Sequence, residues 1–275
     1  MNNRSRRAQQ AEETLAIVEA GAYRNAAGTT VSIGDAVAAA VAGGTLYRDA
    51  DFPADLSAAR RFDATAFECT AETTLAAAAR VVAEEGGDVL ALNFASAKNP
   101  GGGFLGGSQA QEESLARASA LYACQTARLE LYEHNRGRST CLYSDWMIHS
   151  PLVPVFREDD GVLLDAPYNL SMLTVPAVNA GAVLQNEPQH AAEIEPVTHA
   201  RARRLLWVAS RHGHESLILG AWGCGVFRND PVVIATTFQD LLTGEFDGVF
   251  RRVIMAVFDT TRDQAVLGVF ARRFG

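Results

Sequence analysis

The chain has 275 residues, 48% of them hydrophobic, and a formal net charge of −8 at pH 7. This length and hydrophobic content allow a sizeable core, which argues against an intrinsically disordered chain. The acidic balance argues against a general nucleic-acid-binding protein, because phosphate contacts need a basic surface. We therefore expect a globular protein with no direct nucleic-acid partner, although its charge is compatible with a local anion site.

No apolar run approaches the roughly 18 residues that a membrane span requires, and the first residues are polar and charged. We expect a soluble, cytoplasmic protein with no membrane partner. The cysteines are scattered without CxxC spacing: Cys69, Cys124, Cys141 and Cys224. They indicate neither a zinc site nor a disulfide framework, and they fit a reducing compartment.

The N-terminal segment, residues 1–60, is predicted to form an accessory extension, with helices near residues 8–20 and 34–42. Two glycines, Gly43 and Gly44, then act as a helix stop. From residue 61 onwards, apolar β-branched runs alternate with amphipathic stretches, which is the pattern of an α/β layered domain. We expect residues 61–275 to form one domain.

The elements of this domain are predicted in chain order. A strand at residues 62–70 precedes a helix at residues 74–86. Gly86 near the end of that helix suits a helix C-terminus. The later strands are predicted at residues 88–96, 171–181, 216–223 and 251–259, and the later helices at residues 113–135, 200–213, 231–244 and 263–274.

The segment NPGGGFLGGSQAQEES, residues 99–114, places five glycines within seven positions ahead of two adjacent glutamates. Glycine lets the backbone approach a ligand more closely than a Cβ atom allows. Ser108 and Gln111 match a capping box, so we expect a helix to begin here, and a helix N-terminus suits phosphate. The alternative is a flexible glycine turn followed by a solvated acidic first turn. Neither a Walker loop nor a complete GxGxxG fingerprint is present.

The two glutamates, Glu112 and Glu113, are neighbours on the predicted helix, so their side chains should diverge by roughly 100°. The two carboxyl groups should therefore not point at one atom, and we expect them to have different roles. One would transfer a proton and the other would form hydrogen bonds. Acid–base catalysis by carboxyl groups is the usual way in which glycosidic bonds are hydrolysed.

A second glycine-rich segment, LILGAWGCGVFRNDP at residues 217–231, continues a predicted buried strand. Asp230 as N-cap and Pro231 at the first helical position favour a helix start. Ligands of open α/β sheets bind at the carboxyl ends of strands, so the two glycine segments could hold one ligand. Phe227 is either a ring that lies against a sugar or base, or part of the core. Arg228 is either a phosphate contact or a solvated side chain.

Other candidate groups have structural interpretations. His212 and His214 have a spacing that could chelate a metal, but no neighbouring acidic residue or cysteine completes a ligand set, so we expect a surface turn. Cys224 lacks a histidine nearby in the sequence, and we interpret it as a small side chain with a packing role. Arginines of the predicted helix at residues 200–213 either form a solvated face or steer a polyanion. They are Arg201, Arg204 and Arg211.

The pairing of GGGFLGGSQAQEE with the later GAWGCGVFRNDP resembles the bacterial-type poly(ADP-ribose) glycohydrolases, which have the macrodomain fold. The likeness extends from about residue 62 to residue 258 and includes LALNFASAKNPGGG, YSDWMIHSPLVPVFR and VPAVNAG. It implies an α/β protein, a macrodomain-like three-layer αβα sandwich with a mixed central sheet, carrying an N-terminal helical extension. It also implies hydrolysis of ribose–ribose O-glycosidic bonds in poly(ADP-ribose) and ADP-ribosylated proteins, with ADP-ribose as product and no cofactor.

The same resemblance implies roles for individual residues. Glu113 would be the catalytic residue, and Glu112 would form a hydrogen bond with the ribose. The glycine triplet would lie beside the scissile ribose, the later glycine loop would surround the diphosphate, and Phe227 would orient the terminal ribose. The implied substrate-binding residues are Asn99, Gly101, Gly102, Gly103, Gln111, Gly223, Cys224, Gly225, Val226 and Phe227.

Two features depart from the family pattern or compete with it. General macrodomains carry Asn-Ala-Ala-Asn after the third strand, whereas NFAS here places Ser96 at the last position. Asn99 is then the substitute for the residue that holds the ribose hydroxyls. Gln111 fits the capping box as well as the substrate site, and a side chain folded back on the helix end cannot also reach a ligand.

Two other functions compete with this interpretation. A catalytically silent ADP-ribose-binding module would have the same fold, and the adjacent glutamates argue against it. A nicotinamide-dependent oxidoreductase would need a complete GxGxxG fingerprint and an acidic residue about 20 positions beyond it, and both are missing.

Overall fold

The computed structural model describes residues 3–86 and 89–275. The helices are α1 (Asn3–Ala20), α2 (Gly34–Gly43), α3 (Thr74–Glu85), α4 (Gln111–Ala118), α5 (Leu121–Thr126), α6 (Glu130–Arg136), α7 (Ala180–Asn186), α8 (Ile194–Arg211), α9 (Pro231–Thr243) and α10 (Ala265–Phe274). The strands are β1 (Ala22–Arg24), β2 (Thr30–Ser32), β3 (Thr45–Tyr47), β4 (Ala66–Thr70), β5 (Val89–Ala95), β6 (Met147–Arg157), β7 (Leu163–Pro176), β8 (Ser216–Leu219) and β9 (Arg252–Ala256). Single turns of 3₁₀-helix cover Asp49–Asp51 and Phe104–Gly106, and a longer one covers Pro188–Glu193.

A mixed seven-stranded sheet forms the centre of the molecule, in the order β3-β6-β7-β5-β8-β9-β4. From β7 to β4 each neighbouring pair is parallel, whereas β6 runs antiparallel to both β3 and β7. The carboxyl ends of β5, β7, β8 and β9 therefore meet at one edge. Ligands of such sheets bind beyond this edge, so the topology already indicates where a site should lie.

Side chains of the central strands alternate between two hydrophobic clusters, one on each face of the sheet. Leu90 and Leu92 of β5 face the cluster that contains residues of α8, α9 and α10. Val89 and Ala91 face the cluster that contains residues of α2, α3, α4 and α5. Helices thus cover both faces, which confirms the predicted three-layer αβα sandwich with a mixed sheet.

The N-terminal segment, residues 1–60, contacts this sandwich directly through its described part. Strand β3 pairs with β6 at the edge of the main sheet, with Thr45 opposite His149. Helix α1 packs against the 3₁₀ turn that follows β5, where Arg4 Nε donates to the carbonyl of Gly106 at 2.9 Å and Arg7 Nε donates to that of Gly107 at 2.8 Å. Helix α2 lies against β6.

Several predicted helix ends are confirmed. Gly86 ends α3 in the left-handed conformation with φ of 80°, which glycine adopts without strain. The side chain of Asp230 accepts a hydrogen bond from the N–H of Val232, and Pro231 is the first residue of α9. None of the helices in the described part of the chain is both long enough and apolar enough to cross a membrane.

The continuous helix predicted at residues 113–135 is wrong, because the chain forms α4, α5 and α6 instead. Ser119 leaves the helical conformation with φ of −146° and forms an isolated antiparallel bridge with Val155 of β6. Pairing with the sheet thus interrupts a stretch whose local sequence favours a helix. The antiparallel strand β6 and the short strands β1, β2 and β3 were also not predicted.

Candidate active site

A cavity of about 1050 Å³ lies beyond the carboxyl ends of the parallel strands. Its walls come from the loops that follow β5, β8 and β9, and from the start of α4. Such a volume is in the range of sites that bind nucleotide-sized ligands. Of the residues predicted to bind or react with substrate, the cavity brings together Asn99, Gly102, Gly103, Gln111, Glu112, Glu113, Gly223, Cys224, Gly225, Val226 and Phe227.

Glu113 lies in the first turn of α4, where the N-terminal end of the helix dipole favours a negative charge. Its side chain is 9% exposed, and its Oε1 accepts a hydrogen bond from the N–H of Gly103 at 2.9 Å. The glycine loop therefore holds this carboxyl group through backbone rather than through a side chain. Glu113 remains open to the cavity.

Glu112 is more deeply buried, at 3% exposure. Its Oε2 accepts from the N–H of Ser96 at 2.7 Å, and its Oε1 accepts from Gln125 Nε2 at 2.8 Å and from Asn93 Nδ2 at 3.2 Å. Burial raises the pKa of this carboxyl group to about 8, against the opposing effect of these hydrogen bonds, and the charge of Glu113 adds to the rise. Glu112 can therefore take up a proton near neutral pH.

The two carboxyl groups share no hydrogen-bond partner among the described residues, which agrees with the expectation that they do not point at one atom. Both nevertheless lie close to Gly102, because a Cβ atom placed there would lie 2.6 Å from Oε1 of Glu113 and 3.1 Å from Oε2 of Glu112. The glycine loop holds Glu113, whereas buried polar groups hold Glu112.

The glycines of the first loop are needed mainly because other parts of the protein pack closely against their backbone. Gly101 is buried and does not line the cavity, and a Cβ atom there would meet the ring of Phe104 at 2.9 Å. At Gly103 a Cβ atom would lie 2.5 Å from Oγ of Ser108, and at Gly107 it would clash with the carbonyl of Arg4 in α1. The bare loop thus allows α1, α4 and both carboxylates to pack against it.

The predicted capping box is wrong. Helix α4 begins at Gln111 with Ala110 as N-cap, and no side chain caps it. Oε1 of Gln111 accepts from the N–H of Phe94 at 2.9 Å, and its Nε2 donates to the carbonyl of Leu92 at 2.7 Å. Gln111 therefore fastens α4 to β5 and lines the cavity with the rest of its surface.

Asn99 is exposed at the cavity rim. Its N–H donates to Oγ of Ser96 at 3.1 Å, and its carbonyl accepts from the N–H of Gly102 at 3.0 Å. Ser96, at the position where general macrodomains carry asparagine, thus shapes the loop with its hydroxyl and holds Glu112 with its backbone. The side chain of Asn99 lines the cavity and is available to a ligand.

The second glycine loop runs from the end of β8 to α9. Gly223 has φ of 72°, and a Cβ atom there would meet Ala177 at 2.6 Å. Nothing lies within 4 Å of a Cβ atom at Gly225. Val226 is 83% exposed. Within the described residues, the N–H groups of Gly225, Val226 and Phe227 have no hydrogen-bond partner in the chain, and such free donors suit an anion.

Phe227 is half-buried, lines the cavity and also packs against the core cluster, so its contact with a sugar or base stays a prediction. The ring centroid of Tyr143 lies 6.0 Å away, and the carbonyl of Phe227 accepts from the N–H of Gly181 at 2.9 Å. Tyr143 has φ of 59°, an uncommon conformation for a bulky residue. Arg228 is exposed, and its aliphatic stem packs against Gly181.

Both alternatives predicted for the arginines are wrong for Arg201. Its side chain is fully buried, its Nε lies 2.7 Å from Oδ1 of Asp145, and its Nη groups donate to the carbonyls of Pro176 and Leu142 at 2.9 and 2.8 Å. Arg204 pairs with the same carboxylate. Arg201 therefore ties the end of β7 to the loop that carries Tyr143.

The histidine pair does not form a simple surface turn. His212 is exposed, but His214 is buried, and its Nε2 lies 2.9 Å from Nε2 of His149. The described residues contain no group of three or more His, Cys, Asp or Glu side chains placed to hold a metal ion. Cys224 packs against the core cluster, and burial raises the pKa of its thiol to about 12. These findings agree with a structural role for that cysteine.

Sequence reasoning missed several residues at the site. Asn93 and Gln125 are fully buried partners of Glu112. Asn93 is a lone amide in the apolar run VLALNFA, which is the signal that could have identified it, whereas Gln125 is followed by Thr126 and Arg128 and gives no such signal. Phe258 is 64% exposed at the cavity, and Asp259 accepts from the N–H of Val266 at the start of α10.

The chain is similar to known proteins along its whole length. The family model for the catalytic domain of microbial-type PARG matches residues 11–158, more than half of the chain. The poly(ADP-ribose) glycohydrolase of Thermomonospora curvata is 46% identical, with a TM-score of 0.93 over 98% of this chain and 100% of that chain. The same enzyme with the inhibitor ADP-HPD gives a TM-score of 0.92 at the same identity and coverage.

A second bacterium provides a further relative. The poly(ADP-ribose) glycohydrolase of Deinococcus radiodurans in complex with ADP-ribose is 47% identical, with a TM-score of 0.80 over 86% of this chain and 96% of that chain. No curated protein matches the chain.

The sheet topology and the covering helices define the class of this protein, which is an α/β protein with a macrodomain-like fold. Its family follows from the matched model and from the identity to the solved enzymes. The chain belongs to the microbial-type poly(ADP-ribose) glycohydrolases, which confirms the resemblance noted in the sequence.

Proposed function

We propose that this poly(ADP-ribose) glycohydrolase uses Glu113 as its general acid and base. The reaction hydrolyses a ribose–ribose O-glycosidic bond of poly(ADP-ribose) and releases ADP-ribose. Glu113 gives its proton to the departing ribose oxygen as the bond to the anomeric carbon breaks. The resulting carboxylate then takes a proton from the water that attacks the oxocarbenium-like carbon, which restores the acid.

The position of Glu113 is the observation that carries this proposal. Its carboxyl group lines the cavity beside the glycine loop and has a fixed orientation, through the 2.9 Å hydrogen bond from the N–H of Gly103 to Oε1. Fixing a reacting group before substrate arrives lowers the entropic cost of the transition state.

The remaining walls of the cavity suit the other parts of an ADP-ribose unit. The free N–H groups of Gly225, Val226 and Phe227 would bind the diphosphate, as oriented backbone donors do at anion sites. The ring of Phe227 would lie against the terminal ribose and turn its anomeric carbon toward Glu113. Asn99 at the rim would contact ribose hydroxyls, and the ordering of the glycine loop by Ser96 supports this placement.

Glu112 would bind rather than react. Three donors already bind its oxygens, and it is more deeply buried than Glu113 while still lining the cavity. A carboxyl group held in this way suits a hydrogen bond to a ribose hydroxyl. Residues 1–60 would be accessory to the catalytic domain at 61–275, and ADP-ribosylated proteins would be the carriers of the polymer in the cytoplasm.

Conservative amides in place of the two glutamates test this division of roles. Glu113→Gln should lower kcat by about 10²-fold or more while ADP-ribose affinity stays within a few-fold of wild type. Glu112→Gln should weaken ADP-ribose binding more and kcat less. Polymer hydrolysis followed on gels and calorimetric titration with ADP-ribose provide the two measurements.

The opposite ranking of the two variants in kcat would contradict the assignment. If Glu113→Gln hydrolyses polymer as fast as wild type, the general acid is another residue. If neither wild type nor variant hydrolyses polymer while both bind ADP-ribose, the chain is a binding module.

A further inference from the structure

A shell of buried amide groups holds the Glu112 carboxyl group. Asn93 on β5 and Gln125 on α5 are both fully buried, and both donate to Oε1 of Glu112, at 3.2 and 2.8 Å. The N–H of Ser96 donates to Oε2 at 2.7 Å. The shell is therefore arranged around a carboxylate, which only accepts hydrogen bonds.

This arrangement leaves two acceptors without partners. In the described part of the chain, Oδ1 of Asn93 and Oε1 of Gln125 are buried and make no hydrogen bond. A buried acceptor that stays unpaired costs free energy. Both amides direct their NH₂ groups at the same oxygen of Glu112 and leave their own carbonyl oxygens without a hydrogen bond. This indicates that Glu112 sets their orientation.

The two amides differ in their freedom to turn. Nδ2 of Asn93 also donates to Oγ1 of Thr174 at 3.1 Å, which fixes that amide from a second side. The amide of Gln125 has Glu112 as its hydrogen-bond partner among the described residues. If Glu112 takes up a proton, an end-for-end flip of the Gln125 amide offers its carbonyl to the new O–H. The flip also satisfies that unpaired acceptor.

We propose that Gln125 is a positioning residue that holds the Glu112 carboxyl group in place in both of its protonation states, with Asn93 as the fixed partner. With a carboxylate, Gln125 donates through Nε2. With the protonated acid, it accepts through Oε1. This inference rests on the proposed role of Glu112 as a ribose contact, and it assigns the group that keeps that contact oriented.

The charged and titratable groups that face Glu112 are few. Glu113 on the same helix opposes ionisation of Glu112. Tyr132 on α6 is fully buried, and its hydroxyl has no hydrogen-bond partner in the described residues. Loss of the Gln125 donor should therefore raise the pKa of Glu112 above its value of about 8, because the ionised form loses a hydrogen bond.

A double-mutant cycle tests whether Gln125 acts through Glu112. Gln125→Met should weaken ADP-ribose binding about tenfold, the scale of a lost hydrogen bond to a charged group. It should also move the midpoint of the pH dependence of that binding upward by about one unit. In a Glu112→Met background, Gln125→Met should cause no further loss. Calorimetric titration with ADP-ribose across pH 6 to 9.5 gives all four affinities.

Tyr132→Phe is the matched control, because it removes a buried hydroxyl that makes no hydrogen bond in the described residues and so removes no contact to Glu112. It should leave both the affinity and the midpoint as in wild type. Equal losses from Gln125→Met in both backgrounds, or an unmoved midpoint, would overturn the inference while the ribose role of Glu112 stands. Normal ADP-ribose binding by Glu112→Met would instead overturn that ribose role itself.

A measurement on the wild-type protein covers the case in which Gln125→Met does not fold. The carboxyl carbon of Glu112 can be followed by NMR and assigned by its absence in Glu112→Gln. The side-chain amide signals of Gln125 should change with the same midpoint as that carboxyl carbon. Amide signals that stay constant while Glu112 titrates would overturn the inference.

Discussion

Gly102 shows how one residue without a side chain lets the carboxyl groups of Glu112 and Glu113 lie close together. It has φ of 59°, and a Cβ atom there would lie 2.6 Å from Oε1 of Glu113 and 3.1 Å from Oε2 of Glu112. The first glutamate is held by buried amides and the second by the N–H of Gly103. The site therefore depends on the absence of atoms at this position as much as on the two carboxyl groups.

Gly102→Ala should displace the Glu113 carboxylate and lower kcat/KM for polymer hydrolysis by about 10²-fold, because misplacement by about 1 Å has effects of this size. The strained φ should also cost roughly 1–3 kcal/mol of stability. Gly106→Ala is the control in the same loop, since its nearest neighbour atom would lie 3.8 Å away. A Gly102→Ala variant that turns over polymer like Gly106→Ala would contradict this account.

At the scale of single residues, site residues that belong to short sequence motifs could be predicted, whereas residues from distant parts of the chain could not. The glycine triplet, the glutamate pair and Phe227 could be identified because each belongs to a short motif. Asn93 and Gln125 could not be joined to Glu112, since they lie on different elements, 19 and 13 residues away in the chain. Only the packing of α4 and α5 on the sheet brings these amides to the carboxyl group.

At the scale of elements, helix α8 illustrates why a charge pattern can mislead. Its arginines have helical spacing, which is compatible with a solvated face. Arg201 is nevertheless fully buried, because Asp145 and the carbonyls of Leu142 and Pro176 complete its hydrogen bonds. A neighbouring arginine, Arg203, is partly exposed and pairs with Glu245.

Arg201→Met should lower the free energy of unfolding by about 3–5 kcal/mol, because it leaves the carbonyls of Pro176 and Leu142 without their buried donor and leaves Asp145 with Arg204 as its remaining arginine partner. Arg203→Met, two residues away on the same helix, should cost less than about 1 kcal/mol because its ion pair is exposed to solvent. Urea denaturation of both variants measures the two values. Equal costs would show that Arg201 does not hold the β7 end and the Tyr143 loop together.

The strands show the same limit of local reasoning. The parallel strands β5, β8 and β9 were predicted because they are fully buried apolar runs bounded by turns. Strand β6 was missed, since its residues 147–157 include two prolines and two register shifts against β7. Its partner β3 has only three residues, so neither strand has a clear period of two in the sequence.

For the whole molecule, a histidine cluster joins the N-terminal segment to the sandwich. The hydroxyl of Tyr47 on β3 lies 2.8 Å from Nε2 of His212. The ring of His212 stacks on that of His149 of β6, with the two ring centroids 3.6 Å apart. His149 in turn contacts His214. The spacing of His212 and His214 was visible in the sequence, but their partners come from two other strands. The cluster therefore forms only when β3 and β6 come together in the folded protein.

This cluster should make stability sensitive to mild acid. Burial lowers the pKa of His149 to about 3, with the neighbouring His212 and His214 adding to the effect, whereas an unfolded histidine titrates near 6.5. Between these values the unfolded chain binds a proton that the folded chain does not. The contribution of His149 is thus complete above about pH 6.5 and falls by about 1.4 kcal/mol per unit as the pH drops toward 3.

His149→Gln removes this titration and should flatten the pH dependence of stability. Between pH 7.5 and 5.0 the wild-type free energy of unfolding should fall by about 2 kcal/mol more than that of the variant. Urea denaturation at the two pH values gives the difference. His199→Gln, at an exposed position, is the control and should behave as wild type. If His149→Gln loses as much stability as wild type over this range, another group carries the acid sensitivity, and the edge where β3 joins β6 is not its origin.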